Sequence, residues 1–371
     1  MKTIIKSCFN IFLCLLLLSS VVVPAFASVN ETEKRIAALA ENIHAVTVYD
    51  LSEDKLIYSK NADEKISVAS TTKLVTSLVA LDVLGPDRVL TVGTEISLIK
   101  PNSSVSFIAK GHRLKLRTLI AAMLLPSGND AAYTVAVNTA RVHSGNNKLS
   151  DTEAVKYFCN LMNEYVRTLG CNNTFFVNPE GWDDINHYST ASDMTRVAKA
   201  AANNAIIASI ANIHSNKFYF TSGENITWTN SNLLLNPDSK YYYEYAHGLK
   251  TGTTNSAGKC LVAFAEKEKR QLLILAYGAK TDDDRFGRVR DIFETVYSAP
   301  EPVVPFYGDL NKSGDITSED ARLALRAAVG LENKTSEIIK RGDVDRDNDI
   351  TAADARIILR AAVGLEEIRQ D

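Results

Sequence analysis

Apolar and polar positions alternate on either side of a polar turn in residues 44–60 (HAVTVYDLSEDKLIYSK), the pattern of a β-hairpin. Denser apolar runs then predict helices over Leu74 to Leu84 and over Leu116 to Leu125, the second stopped by Pro126. Late in the chain, Leu249 to Thr251, Cys260 to Glu266 and Gln271 to Gly278 read as paired strands. Helices enclosed between early and late strands predict an α+β domain whose sheet is assembled from both ends of the sequence. The pattern breaks at 299–307, where Ala299-Pro-Glu-Pro-Val-Val-Pro305 concentrates proline into a stiff, extended linker. Past the linker, Gly308-Asp-Leu-Asn-Lys-Ser-Gly-Asp-Ile-Thr returns as Gly342-Asp-Val-Asp-Arg-Asp-Asn-Asp-Ile-Thr. Each copy precedes a predicted helix, Ala321 to Leu331 and Ala355 to Leu365, and both helices end in LRAAVGL. A duplication of this length marks residues 308–371 as a second, small domain.

The beginning of the chain follows a different pattern. Lys2 and Lys6 precede an apolar run from Ile11 to Val23, and Ala25-Phe26-Ala27 offers small residues for cleavage before Ser28. Residues 1–27 therefore read as a secretory signal peptide, leaving residues 28–298 as the larger domain of the exported chain. The run is short for a membrane anchor, and no second stretch reaches spanning length, so no transmembrane anchor is expected in the mature chain. Composition changes this picture little. The 371 residues are 46% hydrophobic and 23% charged, with a net charge of −3 and no basic stripe, which removes nucleic acid as an expected partner. Beyond the signal, three cysteines remain: Cys159, Cys171 and Cys260. Cys159 and Cys171 are placed to pair, but a small odd number in an exported chain favours three buried thiols over a disulfide framework.

Three short motifs carry the chemistry: Ser70-Thr-Thr-Lys73, Ser127-Gly128-Asn129 and Lys250-Thr251-Gly252. Taken singly, each has a plain structural reading: a helix cap, a turn before a helix, a strand end. Their joint occurrence in this order outweighs those readings. A serine hydroxyl needs a base to become a nucleophile, and the Ser70–Lys73 spacing puts an amine on the same helix face. Burial and a second cation, Lys250, would push the Lys73 amine towards its neutral form. Ser127 is placed to relay the proton to a leaving amine, and Asn129 to hold Lys73 and the substrate amide. Lys250 and Thr251 would bind a terminal carboxylate, Gly252 would let a ligand approach the backbone, and the N–H groups of Ser70 and Thr253 would form an oxyanion hole. His187 is read as structural, because Lys73 already fills the role of base.

This motif set is the signature of penicillin-recognising serine enzymes. The segments Val68-Ala-Ser-Thr-Thr-Lys-Leu-Val-Thr-Ser-Leu, Leu125-Pro-Ser-Gly-Asn-Asp-Ala-Ala and Gly248-Leu-Lys-Thr-Gly-Thr-Thr resemble the D-alanyl-D-alanine carboxypeptidase family. So do Asn178-Pro-Glu-Gly181, His187-Tyr-Ser-Thr-Ala-Ser-Asp193 and Ala257-Gly-Lys-Cys260, so that the likeness runs from about Ala45 to Lys280. The resemblance implies a β-lactamase/transpeptidase-like domain, with Ser70 as nucleophile, Lys73 as base, Ser127 and Asn129 as the second motif and Lys250, Thr251 and Gly252 at the substrate. It also implies removal of the terminal D-alanine from peptidoglycan stem peptides through an acyl-enzyme, capture by β-lactams, and no cofactor for catalysis. The stretch Trp228-Thr-Asn-Ser-Asn-Leu-Leu lacks an arginine that some members place there, and no C-terminal β-domain with an amphipathic membrane helix follows. Two competing readings are a class A-like β-lactamase and a non-catalytic interaction protein. Against the first, the second motif is Ser-Gly-Asn rather than Ser-Asp-Asn, and no Glu-x-x-Leu-Asn stands out. Against the second, all three motifs are intact.

In the repeats, Asp309, Asn311, Ser313 and Asp320 fall at positions 1, 3, 5 and 12 of a calcium loop, with the Asp315 carbonyl at 7 and Thr317 at 9. The second loop offers Asp343, Asp345, Asp347 and Asp354, the Asp349 carbonyl and Thr351. The entering helix of an EF-hand is missing from the pattern, and position 12 is Asp rather than Glu. Two such loop-helix units resemble a type I dockerin, which implies a small all-α domain, two Ca²⁺ ions, a cohesin-bearing scaffold as partner and an extracellular location. Ser318-Glu319 and Ala352-Ala353, at positions often tied to partner choice, differ between the repeats and argue against fully symmetric docking.

Overall fold

In the computed structural model the described residues are 25–299 and 306–370. The proposed signal peptide up to residue 24, and Pro300 to Pro305 of the linker, lie outside them. The chain divides into two compact units, of which Asn30–Ala299 is the larger.

The larger unit is built on a five-stranded antiparallel sheet. Strands β1 (Ala45–Asp50) and β2 (Lys55–Lys60) form the expected hairpin, and β7 (Ala246–Thr254), β8 (Gly258–Lys267) and β9 (Arg270–Ala279) complete the order β2-β1-β9-β8-β7. The sheet thus joins the two ends of the domain, through Ala45 opposite Tyr277 and Asp50 opposite Leu272.

Both faces of this sheet are covered, which explains why β8 and β9 read as nearly unbroken apolar runs. Cys260, Val262 and Phe264 of β8, with Leu273, Leu275 and Tyr277 of β9, enter one core. The alternate residues Leu261, Ala263 and Ala265, with Leu272, Ile274 and Ala276, enter the other. The second core is closed by helices α1 (Ala25–Leu39) and α8 (Arg288–Tyr297) through Ile36, Val289, Ile292 and Phe293.

The first core holds helices α2 (Lys73–Leu84), α3 (Leu116–Leu124), α4 (Asn129–Ser144), α5 (Asp151–Thr168), α6 (Ala191–Ala202) and α7 (Ala205–Ala211). Helix α2 is buried from Lys73 to Ala80, so an apolar run with no polar face became a central helix. Between α2 and β7 lie two short antiparallel ribbons, β3 (Val89–Thr91) with β4 (Arg113–Lys115), and β5 (Ser215–Tyr219) with β6 (Asn225–Thr229).

The smaller unit holds the repeats. Helices α9 (Ser318–Ala328) and α11 (Ala352–Ala362) start and end three residues earlier than their apolar pattern suggested. Thr317 and Thr351 cap them through capping boxes with Asp320 and Asp354, which moves each start upstream. Gly330 and Gly364, at φ 77° and 72°, then turn the chain out of the helix before the final leucine of each repeat. A short helix α10 (Ser336–Gly342) leads directly into the second loop, so that loop does have an entering helix, capped by Thr335. Leu310, Ala324, Ala327, Ile350 and Ile358 form the small core. Among the described residues no helix is long and apolar enough to cross a membrane.

Candidate active site

Ser70 lies in a single 3₁₀ turn, Ala69–Thr72, that runs straight into α2. It caps neither helix. The turn is held from below by Thr71, whose hydroxyl donates to the Val68 carbonyl at 2.6 Å, and by Thr72, whose hydroxyl donates to the Ala69 carbonyl at 2.8 Å. Lys73, one turn on, is completely buried. Its Nζ lies 2.8 Å from Ser70 Oγ, 2.8 Å from Asn129 Oδ1 and 2.8 Å from the Glu180 carbonyl oxygen. The last two groups can only accept. A neutral amine has two N–H bonds and one lone pair, so donating to both acceptors leaves the lone pair aimed at the Ser70 hydroxyl.

Burial pulls the Lys73 ammonium down to about 8, against the opposing pull of the Glu180 and Asp130 carboxylates. Lys250 is also completely buried and is held well below its ordinary value, first by burial, then by the positive charges of Lys73 and Arg285. Its Nζ donates to the Thr251 carbonyl at 2.9 Å.

The second motif is fixed by a loop that precedes α3. Asn129 N–H donates to the Ser104 carbonyl at 2.9 Å, and Asp130 accepts from the Ser106 amide and hydroxyl, each at 2.8 Å through Oδ1. Ser127 is buried and takes a φ of 63°, a left-handed conformation that serine seldom adopts. Strand β7 is an edge strand, and its Gly252 packs on the turn that carries Ser70: a Cβ there would sit 2.9 Å from Ala69 Cβ and 3.0 Å from the Ser70 nitrogen. Ser70, Lys73 and Asn129 are thus hydrogen-bonded together, Lys250 lies within electrostatic reach of Lys73, and Gly252 packs on the Ser70 turn, while Ser127 stands two residues before Asn129 at the head of α4.

Three contributors had no clear signal in the sequence. Arg285, in the turn before α8, donates to the Thr253 hydroxyl at 3.0 Å and the Gly252 carbonyl at 3.3 Å, and is steadied by Asp282 at 2.6 Å. It supplies a guanidinium at the end of β7, where the segment after Trp228 offers none. Ser231 of that segment instead bonds Thr251 Oγ1 through its hydroxyl at 2.6 Å. Asp183 ties the loop after Gly181 to both sides of the cleft, accepting from Ser67 Oγ at 2.8 Å, Thr254 Oγ1 at 2.7 Å and the Ser256 amide at 3.1 Å.

His187 is structural. The Val177 amide donates to its Nδ1 at 3.3 Å, which leaves the proton on Nε2 to bond Thr72 Oγ1 at 3.0 Å, and burial lowers its pKa to about 4. Among the described residues the cysteines are Cys159, Cys171 and Cys260, all free and buried, and burial pushes each thiol up to about 12.

Residues 31–281 match the D-alanyl-D-alanine carboxypeptidase family. The chain belongs to that family. It is similar to the D-alanyl-D-alanine carboxypeptidase DacF of Bacillus subtilis, 27% identical over 271 residues, which cover 72% of this chain and 65% of the relative. DacC of Escherichia coli is 29% identical over 290 residues, covering 75% and 66%. The chain thus spans just under two thirds of the length of these two relatives. The crystal structure of the Streptomyces K15 DD-transpeptidase superposes with a TM-score of 0.63 at 26% identity, covering 69% of this chain and 97% of that one. The larger unit therefore has the transpeptidase-like fold of its family. Residues 307–361 match the dockerin type I domain.

The dockerin loops fold around their own acidic residues. Asp309 accepts from the Ser313 and Gly314 amides, and Asp343 from the Asp347 and Asn348 amides. The Ser313 hydroxyl donates to the Asp315 carbonyl. Asp320 and Asp354, both buried, receive the amides of Asn311 and Val344 from the start of their loops. Carboxylate oxygens of Asp343, Asp345 and Asp354 all lie within 4.8 Å of one another. Burial raises the Asp345 pKa first, and repulsion from Asp354, Asp347 and Asp343 adds to it, a strain that a bound cation would relieve. This all-oxygen set fits a hard divalent ion. The hydroxyls of Thr317 and Thr351 are engaged in the helix caps, donating to Asp320 Oδ2 at 2.7 Å and Asp354 Oδ2 at 3.1 Å. The Asp349 carboxylate pairs with Lys334 at 2.5 Å, which leaves its carbonyl as the group the loop could use.

Proposed function

We propose that the larger unit is a serine D-alanyl-D-alanine carboxypeptidase that removes the terminal D-alanine of peptidoglycan stem peptides through an acyl-enzyme on Ser70. One observation carries this reading: Lys73 has two obligate acceptors that turn its lone pair onto the Ser70 hydroxyl. An extended peptide would lie along the free edge of β7, with its terminal carboxylate held by Lys250, Thr251 and Arg285. As Ser70 Oγ bonds to the penultimate carbonyl carbon, its proton passes to Lys73 Nζ, and the carbonyl electron pair is held by the Ser70 and Thr253 amides. The proton reaches the departing amine of D-alanine through Ser127. Water then breaks the acyl bond in the reverse sense and frees the shortened peptide.

A β-lactam presents the same carboxylate and a strained amide, so it would acylate Ser70 and stay. Mass spectrometry of the full chain after incubation with penicillin is expected to show one long-lived adduct on Ser70, absent from Ser70→Ala. Rapid drug hydrolysis without an adduct would instead indicate a β-lactamase, and no reaction would overturn the assignment.

The dockerin would bind two Ca²⁺ ions, Asp309, Asn311, Ser313, Asp315 and Asp320 holding one, and Asp343, Asp345, Asp347, Asp349 and Asp354 the other. The ions would neutralise loop carboxylates and fix the repeats. Each repeat turns the same apolar residues outward, Leu325, Val329 and Leu331 in one and Leu359, Val363 and Leu365 in the other. A cohesin on an extracellular scaffold is the partner this pair would meet, and secretion follows from the leader sequence. The second loop has four carboxylate ligands and the first two, so calorimetric titration of single-loop variants is expected to give tighter binding to the second. Equal or reversed affinities would contradict that assignment.

A further inference from the structure

Acylation leaves a charge behind. When Ser70 loses its proton, Lys73 becomes an ammonium with no exposure to solvent, close to Lys250, and such a charge is costly unless it is balanced. The charged groups that face it are the Glu180 and Asp130 carboxylates and Lys250, with His187 beyond them.

Asp130 has little to give. Its oxygens already accept from the Ser106 amide and hydroxyl and from the amides of Ile108 and Ala131. Glu180 is different. Its side chain is buried, its Oε1 accepts from Tyr133 OH at 3.1 Å, and its Oε2 has no hydrogen-bond partner among the described residues. Its backbone carbonyl is itself one of the three groups on Lys73 Nζ. A buried carboxylate left half-unsatisfied beside a base is costly to keep unless it has a task.

We propose that Glu180 is the counter-charge of acylation: its carboxylate balances the ammonium formed on Lys73 when the Ser70 proton moves there. Glu180 is thus a positioning residue acting through Lys73, not a group that touches substrate. Burial raises the Glu180 pKa, and the positive charge of Lys73 is the largest effect opposing that rise, so an ammonium on Lys73 favours the ionised carboxylate. The inference rests on the acyl-enzyme reading above.

The experiment is the pH profile of Ser70 acylation by a fluorescent penicillin in the wild type, Glu180→Gln and Glu180→Asp. Acylation needs neutral Lys73, so its acid limb follows the Lys73 pKa. Removing the carboxylate charge lowers that pKa, so in Glu180→Gln the limb moves down by about one pH unit. The base is also weaker, so the plateau falls about tenfold. Glu180→Asp keeps the charge and brings the limb back towards the wild-type position. A plateau that falls with the limb unmoved would show a merely structural residue and overturn the proposal, as would two unchanged variants. A wild type that takes no label at all would instead overturn the acyl-enzyme reading itself.

Discussion

Lys73→Met is expected to lower the rate of penicillin acylation at Ser70 by about a thousandfold, the middle of the range that a positioned general base contributes. The methionine keeps most of the side-chain volume in a site with no exposure, so the loss reports chemistry more than a cavity. The pH dependence should change with it. Lys73 is a base only when neutral, and burial sets its pKa at about 8, so wild-type acylation should climb as pH rises through that value. In Lys73→Met that climb should vanish. A variant that still acylates within tenfold of the wild type, with the same pH profile, would remove Lys73 from the mechanism and leave another base to be found.

Gly181→Ala should be nearly as damaging without touching a reacting atom. Gly181 has a φ of +90°, and a Cβ built on it would lie 1.8 Å from the Ala69 carbonyl oxygen and 2.9 Å from the Ser70 nitrogen. Neither is the end of a flexible side chain. Both are the backbone of the nucleophile turn, so the turn must move, and a shift of about 1 Å can cost roughly a hundredfold in rate. The positive φ adds about 1 kcal/mol of strain for alanine. Acylation is expected to fall by about a hundredfold or more, and the Tm of the full chain by several degrees. Unchanged acylation would mean that the Ser70 amide, and with it the proposed oxyanion hole, tolerates displacement.

How much of this could be read from the chain alone depended on whether a residue's role is local. Ser70 and Lys73 announce themselves because three residues of a helix bring them together, and Lys250 to Gly252 because they are contiguous on one strand. The hairpin 45–60 and the strands β8 and β9 followed from pattern to within a residue or two. Arg285 was invisible for the opposite reason. It sits in an Asp-Asp-Asp-Arg run that looks like a solvated turn, and only the packing of α8 against the sheet brings it to Thr253. Glu180 and Gly181 stood in a recognisable segment, but what each does depends on the approach of that loop to Ala69 and Lys73. In the repeats, apolar spacing located the helices and missed their ends, because the Thr317–Asp320 and Thr351–Asp354 capping boxes engage free amides that periodicity does not register.

The order of the strands has a bearing on when this protein first becomes chemically competent. β1 near the start of the domain has β9 as its inner neighbour, and the hydroxyl of Tyr277 on β9 reaches Thr71 beneath the nucleophile at 3.3 Å. Lys250 and Arg285 arrive just as late. A polypeptide still growing, or threaded halfway through a pore, would carry its serine and its base for some two hundred residues with no sheet to set them against. Such long-range closure slows folding, and a nascent chain that stops short of β9 lacks the strand that sets Tyr277 against Thr71.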